Sequence, residues 1–147
     1  MQIRIATRAD VPAILALLAD DDITRDRAHR TEETAVYAAF EAIAADDRNE
    51  LIVATDGDEV IGTCQLTFIP GLSRGGAERM LIEAVRVRSD QRGRGRGGEL
   101  IRWAVERARE RGCKIVQLTT DKRRTDAQRF YAALGFVASH EGMKLAL

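Results

Sequence analysis

Residues 88–98 carry the strongest chemical signal in this sequence, because four glycines and four arginines are concentrated there. The residues just before them, including Ile82, Val85 and Val87, have the β-branched content of a strand. From Gly95 onward the apolar spacing is that of a helix. A glycine loop that opens into a helix exposes backbone N–H groups at the positive end of the helix dipole. With the arginine side chains added, this arrangement predicts a site for a phosphate or pyrophosphate group.

Two nucleotide-binding motifs do not fit this loop. A P-loop requires Lys-Ser/Thr after its last glycine, and no such pair follows here. Gly93, Gly95 and Gly98 do have the dinucleotide-binding spacing Gly-x-Gly-x-x-Gly. That motif follows its strand almost directly, whereas residues 88–92 intervene here. The chain also ends 26 residues after Asp121, the candidate ribose ligand, which is too short for the rest of a dinucleotide domain.

Two other interpretations of the loop involve no bound nucleotide cofactor. Arg-Gly repeats also occur in disordered segments that bind RNA, but those lie in low-complexity regions. This loop lies between a predicted strand and a predicted amphipathic helix. The glycines could instead serve only to form a tight turn. The anion site is favoured over both alternatives.

A third pattern, Arg/Gln-x-x-Gly-x-Gly/Ala, matches Arg92-Gly93-Arg94-Gly95-Arg96-Gly97. This pattern is the acetyl-CoA pyrophosphate motif of the GNAT acetyltransferase superfamily. A second stretch, Phe130-Tyr131-Ala-Ala-Leu-Gly135-Phe136, resembles the family signature Phe-Tyr-x-x-x-Gly-Phe. The chain is therefore similar to a small, bacterial-type, single-domain GNAT protein, and the resemblance covers residues 1–147.

The resemblance implies an acyl-CoA N-acyltransferase fold, an α/β (α+β) arrangement with a mixed, mostly antiparallel central sheet flanked by helices. It also implies acetyl-CoA as the co-substrate. In the family, the strand before the loop separates from its neighbour at a bulge, and its backbone groups pair with the pantetheine arm and polarise the thioester carbonyl. The cofactor-binding residues implied in this way are Val85, Val87, Arg92, Gly93, Arg94, Gly95, Gly97 and Gly98.

Two side chains are candidates for the proton transfers of acetyl transfer. Tyr131 stands where the family has its catalytic tyrosine and would protonate the departing thiolate; simple packing beside Phe130 is the alternative. Glu83 is the candidate base. The two-residue period of a strand predicts it on the same face as Val85 and Val87, buried among apolar neighbours. A salt bridge to an arginine is the alternative for Glu83.

Arg124 departs from the family pattern, which often has Asn seven residues before the tyrosine. With Lys122 and Arg123, it forms a basic turn before the last predicted helix. This turn could contact the phosphates of CoA or could simply be solvated.

Composition limits the remaining function classes. Lys and Arg total 23, as do Asp and Glu, so the net charge of +0 gives no general attraction to nucleic acid or to anionic membranes. Cys64 and Cys113 form no Cys-x-x-Cys pair, and with His29 and His140 they lack metal-ligand spacing. No apolar run has membrane-spanning length, and the start of the chain lacks a signal-peptide core. We expect a cytoplasmic protein without metal, nucleic-acid or membrane binding, with a homodimer as one option.

The hydrophobic pattern predicts the elements that position these residues. Thr7 or Asp10 is expected to cap the first helix, Asp56-Gly57 to turn a hairpin, and Gly112 to end the helix after the glycine loop. Strands are predicted over residues 2–6, 51–55, 60–69, 78–87, 113–119, 136–137 and 143–147, and helices over 11–18, 31–45, 95–111 and 125–134.

Two functions fit these patterns. The first is an N-acetyltransferase that transfers the acetyl group of acetyl-CoA to a primary amine of a small molecule or protein, by direct attack in a ternary complex. The second is a non-catalytic GNAT-fold module that binds acyl-CoA as a sensor or partner domain. The presence of both Glu83 and Tyr131 favours the enzyme. The acceptor pocket is expected between the first two helices and residues 70–77, where no motif identifies the amine.

Overall fold

The computed structural model describes residues 1–20 and 32–147. The predicted start of the second helix at Thr31 and most of the acidic stretch Asp20-Asp21-Asp22 lie outside the described residues.

The sheet has five strands whose spatial order follows the chain. The first four strands pair with one another in antiparallel fashion, and the fifth strand pairs with the fourth in parallel. The mixed, mostly antiparallel sheet predicted above is therefore confirmed. The strands are β1 (Gln2–Ile5), β2 (Asn49–Asp56), β3 (Glu59–Ile69), β4 (Arg79–Val87) and β5 (Ile115–Leu118).

Helices cover both faces of this sheet. They are α1 (Val11–Ala19), α2 (Glu33–Ala44), α3 (Arg96–Glu110) and α4 (Thr125–Ala133). None of the helices within the described ranges combines the length and hydrophobicity needed to cross a bilayer. The predicted hairpin joins β2 to β3, and Gly57 has φ +58° in its two-residue turn, a backbone angle that favours glycine.

Two apolar clusters lie on opposite faces of the sheet. The larger one joins the sheet to α3, and α4 packs against its margin. The smaller one joins the sheet to α1 and α2. The members of the smaller cluster are Ala6, Val11, Ile14, Phe40 and Val53, and the α3 members of the larger one are Leu100, Ile101, Ala104 and Ala108.

The Asp10 carboxylate ties β1 to the start of α1. The Arg4 guanidinium donates to its two oxygens at 2.7 and 2.9 Å, and the backbone N–H and hydroxyl of Thr7 donate at 2.7 and 2.9 Å. Asp10 is only 7% exposed. The Arg4 hydrogen bonds lead these contacts in lowering the pKa of Asp10 from 3.8 to about 2.

The two proposed closing strands are wrong, since residues 136–147 contain no strand. Val137, Met143, Leu145 and Leu147 are 82–117% exposed. The outer edge of β5 has no partner strand among the described residues. An isolated strand is not stable without a backbone partner and an apolar surface to cover, and the alternation of apolar residues alone supplies neither.

We expect Asp10→Asn to lower the free energy of unfolding by roughly 2 kcal/mol at pH 7, because each unit of pKa shift is worth about 1.4 kcal/mol. A carboxylate whose folded pKa is depressed stabilises the fold above its unfolded pKa. The stabilisation is lost as the pH falls through the folded pKa. The difference between wild type and variant should therefore shrink between about pH 4 and pH 2 in urea unfolding experiments.

Asp58→Asn, in the exposed β2–β3 turn, is the matched control and should have little effect. A wild-type-to-variant difference for Asp10→Asn that stays constant over this pH range would show that the carboxylate charge is not what stabilises the fold.

Candidate functional site

An opening separates β4 from β5 on one side of the sheet. The four residues of β5 pair with β4 only over Arg79–Ile82. β4 continues to Val87. The edge formed by residues 83–87 therefore has no strand beside it in the described part of the chain. Such an edge offers free backbone groups to an extended ligand.

The register between β3 and β4 slips by one residue where this edge begins. Glu83 pairs with Gln65, but Arg86 pairs with Thr63, so three steps along β4 match two along β3. The extra residue forms a β-bulge. Ala84 has φ +51° there, which is uncommon for a residue other than glycine. The bulge implied by the family resemblance thus lies at Ala84.

The backbone groups of Val85 and Val87 point toward the open edge. The N–H of Arg88 donates to the carbonyl of Ile61 on β3 at 2.9 Å. Successive residues of a strand direct their backbone groups to opposite sides. Val87 therefore faces away from β3, and so does Val85, two residues earlier. This direction is the one that pairing with a pantetheine arm requires.

Two arginine side chains already occupy these carbonyl groups. Arg86 Nη1 donates to the Val85 carbonyl at 2.8 Å, and Arg92 Nε donates to the Val87 carbonyl at 3.0 Å. Arg92 also donates to the backbone carbonyl of Asp20, at the end of α1, at 3.1 Å. A ligand that pairs with this edge must replace both guanidinium groups.

The glycine loop leads directly into the N-terminus of α3. Gly95 is the N-cap with φ +78°, and Gly93 has φ +73°. The first backbone hydrogen bond of the helix runs from the Glu99 N–H to the Gly95 carbonyl at 3.0 Å. The N–H groups of residues 96–98 therefore lie at the helix start, where an anion can bind them.

Gly97 and Gly98 have a packing role. A side chain at Gly97 would contact the Phe130 ring at 3.4 Å and Val87 at 3.7 Å, and one at Gly98 would come within 3.1 Å of the Arg102 guanidinium. The start of α3 is thus held close to β4 and α4.

The loop arginines differ in their partners. Arg88 pairs with Asp90 and Glu59, and Arg96 pairs with Asp56 and Glu99. Arg92 lies against the end of α1. Among the described residues, Arg94 has no ion pair, and its side chain is exposed beside the loop amides. Arg94 is thus the loop cation most available to a bound anion.

Tyr131 lies half-buried on α4 against the larger apolar cluster. Its ring packs edge-on against Phe130 and Phe136, with centroids 5.0 and 5.8 Å away. Burial raises the pKa of Tyr131, while the positive charges of Arg86 and Arg124 partly oppose that rise. The phenol therefore keeps its proton at neutral pH and can donate it.

Glu83 is exposed rather than buried. On β3, Glu83 pairs with Gln65 and Val87 pairs with Gly62. Gln65 and Gly62 are three residues apart and so face opposite sides of the sheet, and their partners on β4 do the same. The prediction that Glu83 shares a face with Val85 and Val87 is wrong. The bulge is the reason, because one extra residue shifts the alternation of side chains.

Arg86 is the site residue that sequence reasoning missed. Its partner Thr63 lies two residues from Gln65 on β3, so Arg86 shares the face of Glu83. Thr63 in turn pairs with Val53, a member of the cluster under α1 and α2. Regular alternation would have put Glu83 and Arg86 on opposite faces, and no sequence signal marks the bulge.

The basic turn before α4 has local acidic partners. Lys122 pairs with Glu141, and Arg123 pairs with Asp121. Arg124 is the N-cap residue of α4 and acts electrostatically on Tyr131. The solvated-turn alternative therefore fits Lys122 and Arg123 better than Arg124.

Neither cysteine has the lowered pKa that is typical of a reactive thiol. Both cysteines are free thiols, and burial raises the pKa of Cys64 to about 12 and, less strongly, that of Cys113. Within residues 1–20 and 32–147, no cluster of His, Cys, Asp and Glu side chains is arranged to hold a metal ion.

The profile of the Acetyltransferase (GNAT) family matches residues 13–136. The chain belongs to this family. It is 29% identical to the aminoalkylphosphonate N-acetyltransferase of Salmonella typhimurium, over 95% of this chain and 86% of the relative. It is also 29% identical to the glucosamine 6-phosphate N-acetyltransferase of Trypanosoma brucei brucei, over 100% of this chain and 96% of that protein.

A solved structure from Bacillus halodurans, described as a transcriptional regulator, is 48% identical and covers 99% of each chain with a TM-score of 0.95. The family and the two N-acetyltransferase relatives support acetyl transfer in general terms, by a protein of the acyltransferase class.

We expect Gly95→Asp to weaken acetyl-CoA binding at least tenfold (a drop of about 1.4 kcal/mol), because a carboxylate beside the α3 amides repels the pyrophosphate. Calorimetric titration with acetyl-CoA measures the change. Gly57→Asp is the matched control, because Gly57 also has a positive φ and open space around it but lies in the distant β2–β3 turn. Equal affinities for the two folded variants would disprove the anion site.

Proposed function

We propose that this protein is an acetyl-CoA-dependent N-acetyltransferase that works as a single domain of residues 1–147. The acetyl group would pass directly to a primary amine of a small molecule or peptide in a ternary complex. The observation that carries the proposal is the combination of a half-buried Tyr131 phenol, a stretch of β4 with no strand beside it among the described residues, and a glycine loop that leads into the exposed amides of a helix start.

The chain would contact acetyl-CoA at two places, the pyrophosphate and the pantetheine arm. The amides of residues 96–98 and the Arg94 side chain would hold the pyrophosphate. The backbone of Val85 and Val87 would pair with the pantetheine arm, after the arginine side chains on their carbonyls have moved away. The thioester would then lie in the opening between β4 and β5.

Glu83 and Tyr131 would approach this opening from opposite faces of the sheet. Tyr131 packs with the α3 and α4 cluster, whereas Glu83 lies on the face that α1 and α2 cover. An amine that enters from the α1 side would give a proton to Glu83, directly or through water. The thiolate leaving toward the other side would take the proton of Tyr131.

The relatives support a small-molecule acceptor. The names of the Salmonella and Trypanosoma proteins describe amines that carry a phosphonate or a phosphate group. Both are compact molecules, and a compact acceptor is compatible with a face of β4 that α1 contacts.

An acyl-CoA sensor without turnover is the second candidate function. The described role of the Bacillus halodurans protein, a transcriptional regulator, favours it. The two candidates differ in one measurement. A sensor would bind acetyl-CoA tightly but release no CoA thiol with any member of a broad panel of primary amines.

We expect Tyr131→Phe to lower kcat by about 10²- to 10⁴-fold, the usual contribution of a positioned acid, with little change in acetyl-CoA affinity or stability. The assay follows thiol release with the best amine of the panel. Because the pKa of Tyr131 is raised, wild-type kcat should show no loss attributable to this phenol below about pH 10.

Tyr37→Phe, on α2 under the Arg8 guanidinium, is the matched control and should keep wild-type kcat. Unchanged turnover in Tyr131→Phe would make Tyr131 a packing residue and remove the acid from the mechanism.

We also propose that two copies of the chain associate through residues 136–147 and the free edge of β5. Four of the six large apolar side chains that are exposed in the described residues belong to this segment. Gly142 lies beside Thr119, one residue after β5, so the middle of the segment is close to the end of that strand. Each copy thus offers both an unpaired strand edge and a segment with strand-like alternation, which fits a twofold interface.

Sedimentation analysis tests this association. We expect a dimer for the wild type and a monomer for the double variant Met143→Asp with Leu145→Asp, because the charges prevent apolar contacts in the interface. Leu72→Asp, at an equally exposed leucine in another loop, is the control and should remain dimeric. A monomeric wild type at micromolar concentration would disprove the proposal.

A further inference from the structure

Two opposite charges lie on the α1 side of β4, next to the opening. Glu83 and Arg86 are three residues apart, which in a regular strand would put them on opposite faces. The bulge at Ala84 brings them to the same face, because their β3 partners are Gln65 and Thr63. This face carries the proposed base.

The spacing of these two side chains follows from the sheet. Gln65 and Thr63 are two residues apart on β3, so Glu83 and Arg86 leave the sheet about 7 Å from one another. A carboxylate and a guanidinium that start from these two positions complement a short molecule with a cationic and an anionic end. An ammonium group would lie at Glu83 and the anion at Arg86.

Arg86 is directed toward the reaction centre. Its Nη1 lies 2.8 Å from the carbonyl of Val85 on the open edge, and its charge acts on the phenol of Tyr131. The side chain is half-buried, in contrast to the exposed loop arginines Arg92 and Arg94. Once a pantetheine arm has taken the Val85 carbonyl, the displaced guanidinium can donate to an anion on the same face instead.

Arg86 is not positioned for the pyrophosphate of CoA. The start of α3, where the loop amides lie, packs through Gly97 against Val87 and Phe130 on the other face of the sheet. The anion at Arg86 must therefore belong to a molecule on the α1 side, which is the side of the amine.

We propose that Arg86 determines acceptor specificity, and that the acceptor is a small primary amine with a phosphonate or phosphate group bound by Arg86 while its amine lies at Glu83. The planar guanidinium donates two parallel hydrogen bonds to such a group, and the double negative charge strengthens them. This inference rests on the proposed acetyl transfer.

The test uses four primary amines of similar length: 2-aminoethylphosphonate, 2-aminoethanesulfonate, 3-aminopropanoate and propylamine. We expect kcat/KM of the wild type to be at least about tenfold higher for the phosphonate than for the neutral amine, because hydrogen bonds between charged groups are stronger than those between neutral ones. The sulfonate and the carboxylate should lie between these two.

Three variants separate the roles of the two charges. Arg86→Met should reduce the phosphonate-to-propylamine ratio to about one, mainly through KM of the phosphonate. Arg86→Lys keeps the charge without the planar fork and should restore part of the ratio. Glu83→Gln should lower kcat/KM for all four amines, with the ratio between them retained.

Binding of 2-aminoethylphosphonate in the presence of CoA, measured by calorimetry, gives a readout independent of turnover. A wild type that uses phosphonate and propylamine equally would overturn the role of Arg86 and leave acetyl transfer intact. A wild type that turns over none of the amines but binds the phosphonate, with weaker binding in Arg86→Met, would overturn acetyl transfer instead. An Arg86→Met ratio equal to that of the wild type, with unchanged melting temperature, would also overturn the proposal. If this variant does not fold, an unchanged ratio in Arg86→Gln, which removes the charge but keeps a polar side chain, overturns it in the same way.

Discussion

The one-residue bulge at Ala84 is the constraint on which the site depends. A residue other than glycine at φ +51° costs on the order of 1–3 kcal/mol, which the surrounding sheet must offset. The bulge lies just past Ile82, the last residue of β4 that pairs with β5, and it also shifts the alternation of side chains. As a result, Glu83 lies on the opposite face of the sheet from Val87, and Arg86 lies on the same face as Glu83. One backbone irregularity thus brings together an open strand edge and two charges beside it.

The opposite end of α3 is held by ion pairs, which leaves its N-terminus for the loop. Arg107 donates to Glu50, a nearly buried carboxylate on β2, at 2.7 and 3.0 Å. Arg111 donates to Glu78 at 2.8 Å and stacks on the Phe68 ring with its guanidinium carbon 4.1 Å from the centroid. Cations at a helix C-terminus are also favoured by the helix dipole. The ion pairs of the scaffold and the proposed anion site therefore lie at the two ends of the same helix.

Local signals in the sequence were sufficient for most of the fold. Gly57, Gly95 and Gly112 have a positive φ, and the sequence pattern predicts a turn at the first, the start of a helix at the second and the end of that helix at the third. The bulge had no such signal, because Ala84 is an ordinary strand residue and only pairing with β3 fixes its angle. The side of the sheet on which Glu83 lies could not be predicted for the same reason. The closing strands failed because their apolar alternation depends on a partner strand.

The backbone carbonyls on the free edge of β4 accept hydrogen bonds from side chains instead of from a neighbouring strand. The carbonyls of Val85 and Val87 accept hydrogen bonds from Arg86 and Arg92, so neither lacks a donor. An amide of the proposed pantetheine arm would replace one N–H donor by another, and the net gain in hydrogen bonding would be small. Affinity must then come chiefly from the pyrophosphate at α3 and from apolar contacts. Since Arg92 belongs to the loop itself, its guanidinium can turn from the Val87 carbonyl to that anion, so it stabilises the edge in the free chain and the phosphate in the proposed complex.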